Sequence, residues 1–219
     1  MMVPASTVLQ VFAREPVPGA VKTRLAATIG DLRAAAVYRE LTLVTMGHAL
    51  RARTDGVVTA IELWCTPRAE SAWFRECAHA AGASLHEQSE GSLGTRMRHA
   101  LASGLERADR VLLIGTDCPV LDVAMLAAAS MELSDRDAVL GPAEDGGFVL
   151  VGTRVPLGFE GVRMSTPHAA TDTLAAWTRH GIRYAVLPPL WDVDEGTDLV
   201  RWERLCAPAG ADHADQTRT

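Results

Sequence analysis

Short apolar runs along the chain alternate with longer stretches whose apolar positions recur at helical spacing. Val8-Leu9-Gln10-Val11-Phe12-Ala13 is apolar and stops at Glu15-Pro16-Val17-Pro18-Gly19, the pattern of a buried strand that feeds a loop. Val57–Trp64, Ser84–Gln88, Val111–Gly115, Ala138–Gly141, Phe148–Gly152 and Ile182–Leu187 read as further strands, the third of them apolar throughout, as in a strand covered on both faces. Helices are predicted over Asp31–Arg53, Glu70–Ala81, Leu121–Leu133, Thr171–His180 and about Asp198–Leu205. Between Ser84–Gln88 and Val111–Gly115, Leu93, Met97, Ala100, Leu101, Gly104 and Leu105 stand at offsets 0, 4, 7, 8, 11 and 12, one face of another helix.

Strands alternating with helices predict a single-domain, three-layer αβα fold over residues 1–206. Its sheet is mostly parallel, with one antiparallel hairpin at Ala138–Gly152 and a polar, frayed tail over 207–219. Sites in such sheets lie at the carboxyl ends of the strands. With 48% apolar residues the chain can bury a core without disulfides, and its four cysteines (65, 77, 118 and 206) form no C-x-x-C pair, so reduced thiols are expected. A net charge of −6 argues against general nucleic-acid binding. No apolar run approaches the ~20 residues that span a bilayer, and the N-terminus lacks a signal-peptide pattern, so no membrane partner and a cytoplasmic location are expected.

No G-x-G-x-x-G follows the first strand and no G-x-x-x-x-G-K-[ST] occurs anywhere. Instead the first strand runs into Arg14-Glu15-Pro16-Val17-Pro18-Gly19-Ala20-Val21-Lys22-Thr23-Arg24-Leu25, read as a stiff loop with a glycine for close backbone approach and two nearby cations, suited to a diphosphate or simply solvated. The chain has 20 Arg and one Lys, Lys22, so a compact ammonium is retained where Arg is otherwise used. Asp117, in Gly115-Thr116-Asp117-Cys118-Pro119, stands where the most apolar strand opens to solvent, a place for Mg²⁺ or Mn²⁺ or for a helix cap. Asp192 and Asp194 in Trp191-Asp192-Val193-Asp194 point to one side of an extended segment, either completing a metal site with Asp117 or capping the last helix. Glu144-Asp145-Gly146-Gly147 reads as a D-G turn or as a place of close ligand approach.

In their order along residues 8–206, these segments resemble a bacterial glycosyltransferase-like family once filed as a domain of unknown function, which includes arsenosugar-biosynthesis glycosyltransferases. The resemblance rests on Phe12–Leu25, Gln88–Met97, Gly115–Pro119, Gly141–Phe148 and Asp192–Asp194. That family is similar to the nucleotide-diphospho-sugar transferases of the GT-A fold. The resemblance implies nucleotide binding by Arg14, Gly19, Lys22, Arg24, Gln88 and Arg96, and catalytic roles for Lys22, Asp117 and Asp145. It also implies a substrate-facing loop of Asp145, Gly146, Gly147 and Ser165, and a Mg²⁺ or Mn²⁺ ion on Asp117 and Asp194.

The leading functional expectation is metal-dependent glycosyl transfer from a nucleoside-diphosphate sugar to a small acceptor. Nucleotidyl transfer to a small phosphorylated molecule, with release of pyrophosphate, is the alternative. A non-catalytic nucleotide-binding module is the third.

Overall fold

The computed structural model describes residues 5–207. Its strands are β1 (Thr7–Arg14), β2 (Ala60–Thr66), β3 (Ser84–Glu87), β4 (Arg110–Ile114), β5 (Ala138–Pro142), β6 (Phe148–Thr153) and β7 (Tyr184–Val186). They form one sheet in the order β3-β2-β1-β4-β6-β5-β7. Only β6 runs against its neighbours β4 and β5; the other pairings are parallel. The helices are α1 (Thr23–Ile29), α2 (Asp31–Thr54), α3 (Ala72–Ala81), α4 (Leu93–Leu105), α5 (Val123–Glu132), α6 (Ala169–Arg179) and α7 (Gly196–Cys206). This is the expected αβα domain with a mostly parallel sheet and one hairpin, β5–β6.

Alternation along the strands assigns the two faces, because residues two apart point the same way. Leu9, Val11 and Ala13 of β1 join Leu63, Leu112 and Ile114 in a core with Met46, Phe74 and Leu126, from α2, α3 and α5. Val111, Leu113, Leu140 and Val151 face the other way, against Met97 and Leu101 of α4 and Trp177 of α6. A polar knot crosses this second layer. Glu62 accepts hydrogen bonds from Gln10 Nε2 (3.0 Å), Trp64 Nε1 (2.9 Å) and Arg107 (3.1 and 2.6 Å), and Gln10 also donates to the Ala100 carbonyl (2.7 Å). Burial pushes the Glu62 carboxyl up, but these hydrogen bonds outweigh it and hold the group below its ordinary value.

A third apolar cluster positions the site. Leu25 of α1, Val37 and Leu41 of α2, and Leu199 and Trp202 of α7 enclose Trp191 and Val193. The chain after β7 is thereby pinned with Asp192 and Asp194 on the side opposite to the buried Trp191 and Val193.

Two expectations are corrected. Thr23-Arg24-Leu25, read as part of a loop, opens helix α1. Strand β2 starts at Ala60 rather than Val57, because the Val57 and Val58 N–H groups both donate to the Ala52 carbonyl and complete the end of α2. The predicted tail over 207–219 lies almost wholly outside the described residues.

Candidate active site

In the sheet order, β1 leads to β2 and β3 on one side and to β4 on the other, so connections leave in opposite directions and a crevice opens at the strands' carboxyl ends. A cavity of about 610 Å³ occupies that position. Of the residues singled out in the sequence, Arg14, Lys22, Arg24, Gln88, Arg96, Asp117, Asp145, Ser165 and Asp194 all line it. Gly19, Gly146 and Gly147, also singled out in the sequence, are not in the cavity wall. Gly146 has φ +88° and lies so close to Pro167 that a Cβ there would meet the Pro167 oxygen at 2.2 Å. A side chain at Gly146 would push the β5–β6 turn away from the Ser165–Pro167 loop.

Lys22 is the N-cap residue of α1 and adopts a left-handed backbone, φ 50° and ψ 45°. Its side chain is 3% exposed. Nζ lies 2.7 Å from Asp117 Oδ1 and also donates to the Val193 carbonyl. The backbone reinforces that junction, since the Val193 N–H donates to the Asp117 carbonyl at 2.9 Å. One ammonium therefore ties the β1–α1 loop to the end of β4 and to the segment after β7. Arg24 Nη1 pairs with Asp194 Oδ2 at 2.8 Å. Asp192 is half-buried among carboxylates. Burial raises its carboxyl to about 6, with the charges of Asp145, Asp117 and Asp194 adding to the rise and Lys22 opposing it.

The capping roles open to Asp117 and to Asp192 and Asp194 are filled by other residues. Helix α5 is capped by Asp122, which accepts from the Met125 N–H at 3.0 Å, leaving Asp117 free of that task. At α7, Asp198 accepts from the N–H groups of Asp194 and Glu195 (3.1 and 2.8 Å). Asp145 does make the plain turn contact, accepting from Gly147 N at 2.8 Å, and lines the cavity as well.

Sequence reasoning missed Tyr38, Thr116 and Thr66 in the wall. Tyr38, 5% exposed, reads in the sequence as one member of an apolar stripe on a helix. Its hydroxyl accepts from the Arg14 N–H (2.8 Å) and from Thr116 Oγ1 (3.1 Å), joining the ends of β1 and β4. Burial, with the Asp117 charge, pushes its phenol up to about 12, so it is a neutral hydrogen-bonding group. Cys65 and Cys118 are free thiols that burial pushes up to about 12, outside the site chemistry.

Among the described residues no three carboxylate, imidazole or thiolate side chains gather as a metal-holding group. A hard divalent ion that keeps its waters and shares substrate phosphates needs only one or two carboxylates. Asp117 fits that role. Its side chain is 45% exposed, and its buried Oδ1 receives only the ion contact of Lys22, with no hydrogen bond of good direction. Asp194, engaged by Arg24, is within the same cavity.

A provisionally assigned nucleotide-diphospho-sugar transferase from Desulfovibrio desulfuricans G20 matches with TM-score 0.75 at 27% identity, over 96% of this chain and 92% of that one. The 4-diphosphocytidyl-2C-methyl-D-erythritol synthase of Anaerococcus prevotii matches with TM-score 0.61 at 8% identity, over 92% of this chain and 98% of that one. Glucosyl-3-phosphoglycerate synthase from Mycobacterium tuberculosis, in complex with Mn²⁺, UDP and glucosyl-3-phosphoglycerate, matches with TM-score 0.57 at 10% identity, over 90% of this chain and 75% of that one. The last two likenesses show a shared fold. No curated protein sequence matches the chain. Residues 49–166, just over half of the chain, match the family described as an uncharacterized protein conserved in bacteria, DUF2064, and the chain belongs to that family.

Proposed function

We propose that this protein is a transferase acting on a nucleotide-activated donor, with glycosyl transfer from a nucleoside-diphosphate sugar to a small acceptor as its reaction. The observation that carries the reading is one cavity at the strands' carboxyl ends, into which the segments after β1, β4 and β7 bring Lys22, Arg24, Asp117 and Asp194 together. Arg14 and Arg96 complete its cationic wall. The likeness to the D. desulfuricans protein, over nearly the full length of both chains, supports the same reading.

Glycosyl transfer leaves negative charge on the departing diphosphate, and fixed positive groups lower its barrier. Asp117 would hold a Mg²⁺ or Mn²⁺ ion, and a bound ion of this kind supplies Lewis-acid stabilisation of the leaving diphosphate. Lys22 fixes the Asp117 carboxylate and carries positive charge into the crevice. Asp145, on the β5–β6 turn, faces the acceptor beside Ser165, with Gly146 and Gly147 shaping that turn. The partners are thus a nucleotide sugar and a small acceptor.

A thermal-shift series with nucleoside-diphosphate sugars and nucleoside triphosphates, with and without Mn²⁺, tests the proposal. We expect nucleoside-diphosphate sugars to stabilise the protein and turnover to release a nucleoside diphosphate. Release of pyrophosphate from a triphosphate in the presence of a phosphorylated acceptor would instead establish nucleotidyl transfer. Binding without turnover across a broad acceptor panel would leave a nucleotide-binding module.

A further inference from the structure

Helix α2 carries an apolar stripe on its outer side, away from the sheet. Leu32, Leu43 and Leu50 are 78%, 51% and 36% exposed, and Ala36 and Gly47 are exposed with them. In chain order these five residues stand at offsets 0, 4, 11, 15 and 18, which at about 100° per residue fall within about 60° of arc. Leu32 and Ala36 are matched eleven residues later by Leu43 and Gly47, a spacing so close to the helical period that the stripe runs almost straight along the helix. Arg39 belongs to the same stripe, but its guanidinium is drawn aside onto α3, 4.2 Å from the centre of the Trp73 ring.

Two features of this face serve no purpose in a single copy. Gly47 stands inside a 24-residue helix, where glycine weakens the helix relative to alanine, yet a Cβ there would meet nothing within 4 Å. Packing within the described chain does not require a glycine at that place. Glu40 and Arg51, both exposed, stand at offsets 8 and 19 from Leu32 and so share one flank of the stripe. Among the described residues neither makes an ion pair.

We infer that this face of α2 docks a second copy of the chain, the two helices antiparallel about a two-fold axis that passes midway between Leu43 and Gly47. In that register Leu43 of each copy packs over Gly47 of the other, whose missing side chain lets the helices approach closely. Glu40 of each copy then meets Arg51 of the other, because the axis keeps the same flank of both helices on the same side. Ala36 comes opposite Thr54, and Leu32 passes the end of the other helix. A parallel pairing would instead set Glu40 against Glu40 and Arg51 against Arg51, with the helix dipoles aligned unfavourably. Tyr38, which bridges Arg14 and Thr116 beside the cavity, is on the buried side of the same helix, so seam and cavity use different faces of α2.

Sedimentation equilibrium of the full chain, from micromolar to millimolar protein, tests the inference. The parent should form a reversible dimer. Leu43→Glu should weaken it at least about tenfold, and Leu32→Glu should weaken it less. Gly47→Ala should raise the Tm of dilute protein while weakening association, opposite signs that a purely local role of the glycine does not give. Glu40→Arg and Arg51→Glu should each disrupt the dimer, since like charges then meet twice across the axis. An equimolar mixture of these two variants should recover a dimer with one chain of each, because both ion pairs are then restored. Circular dichroism checks that every variant is folded, as expected for exposed positions. A parent that stays monomeric at millimolar concentration overturns the inference, whatever other molecule the face then takes. So does a dimer that tolerates Leu43→Glu, or charge variants that fail to pair when mixed.

Discussion

Lys22 adopts a backbone that costs an L-residue about 1–2 kcal/mol, and its buried ammonium contacts offset that cost. A guanidinium is planar and larger, so Lys22→Arg conserves charge without reproducing a point donor between Asp117 Oδ1 and the Val193 carbonyl. We expect Lys22→Arg to lower the transfer rate at saturating metal, and Lys22→Ala to lower it further, by about 100- to 1000-fold. Lys22→Ala should also reduce unfolding free energy by about 1.5–3 kcal/mol in urea titrations. Parent-like rates for Lys22→Arg would show that charge alone matters. Because Lys22 is the only lysine, lysine-selective ¹⁵N labelling gives one ammonium signal on which its environment can be followed. Glu62 offers a pH test far from any transfer chemistry. Its carboxyl is held below the ordinary 4.5, so its stabilising share is fully present above that value and disappears as pH falls through the depressed one. Glu62→Gln should cost about 1.5–3 kcal/mol at pH 7, with the gap to the parent narrowing as pH drops below about 4. A gap independent of pH would assign the loss to packing.

At the scale of elements, periodicity told most where a face was buried against a single layer. Leu93 to Leu105 carried one clear apolar face, and α4 has those bounds. The short α1 escaped notice because it has neither an N-cap side chain that accepts from its N–H groups nor an acid in the first turn, and a left-handed lysine starts it. It forms because Leu25 is buried with Val193 and Trp202, a contact between distant parts of the chain. The same limit hid Tyr38. Its place in a helical stripe marked it as buried, but no local pattern reveals that its hydroxyl meets Arg14 and Thr116. Tyr38→Phe keeps the ring and removes that bridge. Leaving the Arg14 N–H without its acceptor should cost about 1–3 kcal/mol of stability, and freeing the β1 end from the β4 end should shift the Lys22 ammonium signal. A stability loss with an unmoved signal would make Tyr38 a packing residue only.

For the whole molecule, the sheet order decides which sequence motifs meet. Residues 170 apart in the chain, Arg24 and Asp194, converge because β1 lies beside β4 and the third apolar cluster pins the segment after β7. Asp117 is where this convergence can be tested without knowing the acceptor. It is half exposed at a strand end, caps no helix, and contributes little to the core. Asp117→Ala should therefore leave the protein folded, with Lys22 losing one contact and keeping the Val193 carbonyl. In the parent, a nucleoside diphosphate with Mn²⁺ at ~100 times its Kd should stabilise by about 2.7 kcal/mol. For a domain of this size that is a rise in Tm of about 5–11 °C. In Asp117→Ala the increment due to Mn²⁺ should vanish, while a smaller, metal-free and salt-sensitive rise from the diphosphate persists through Arg14 and Arg96. If the Mn²⁺ increment survives in the variant, the metal is held elsewhere, and Asp117 serves only to anchor Lys22.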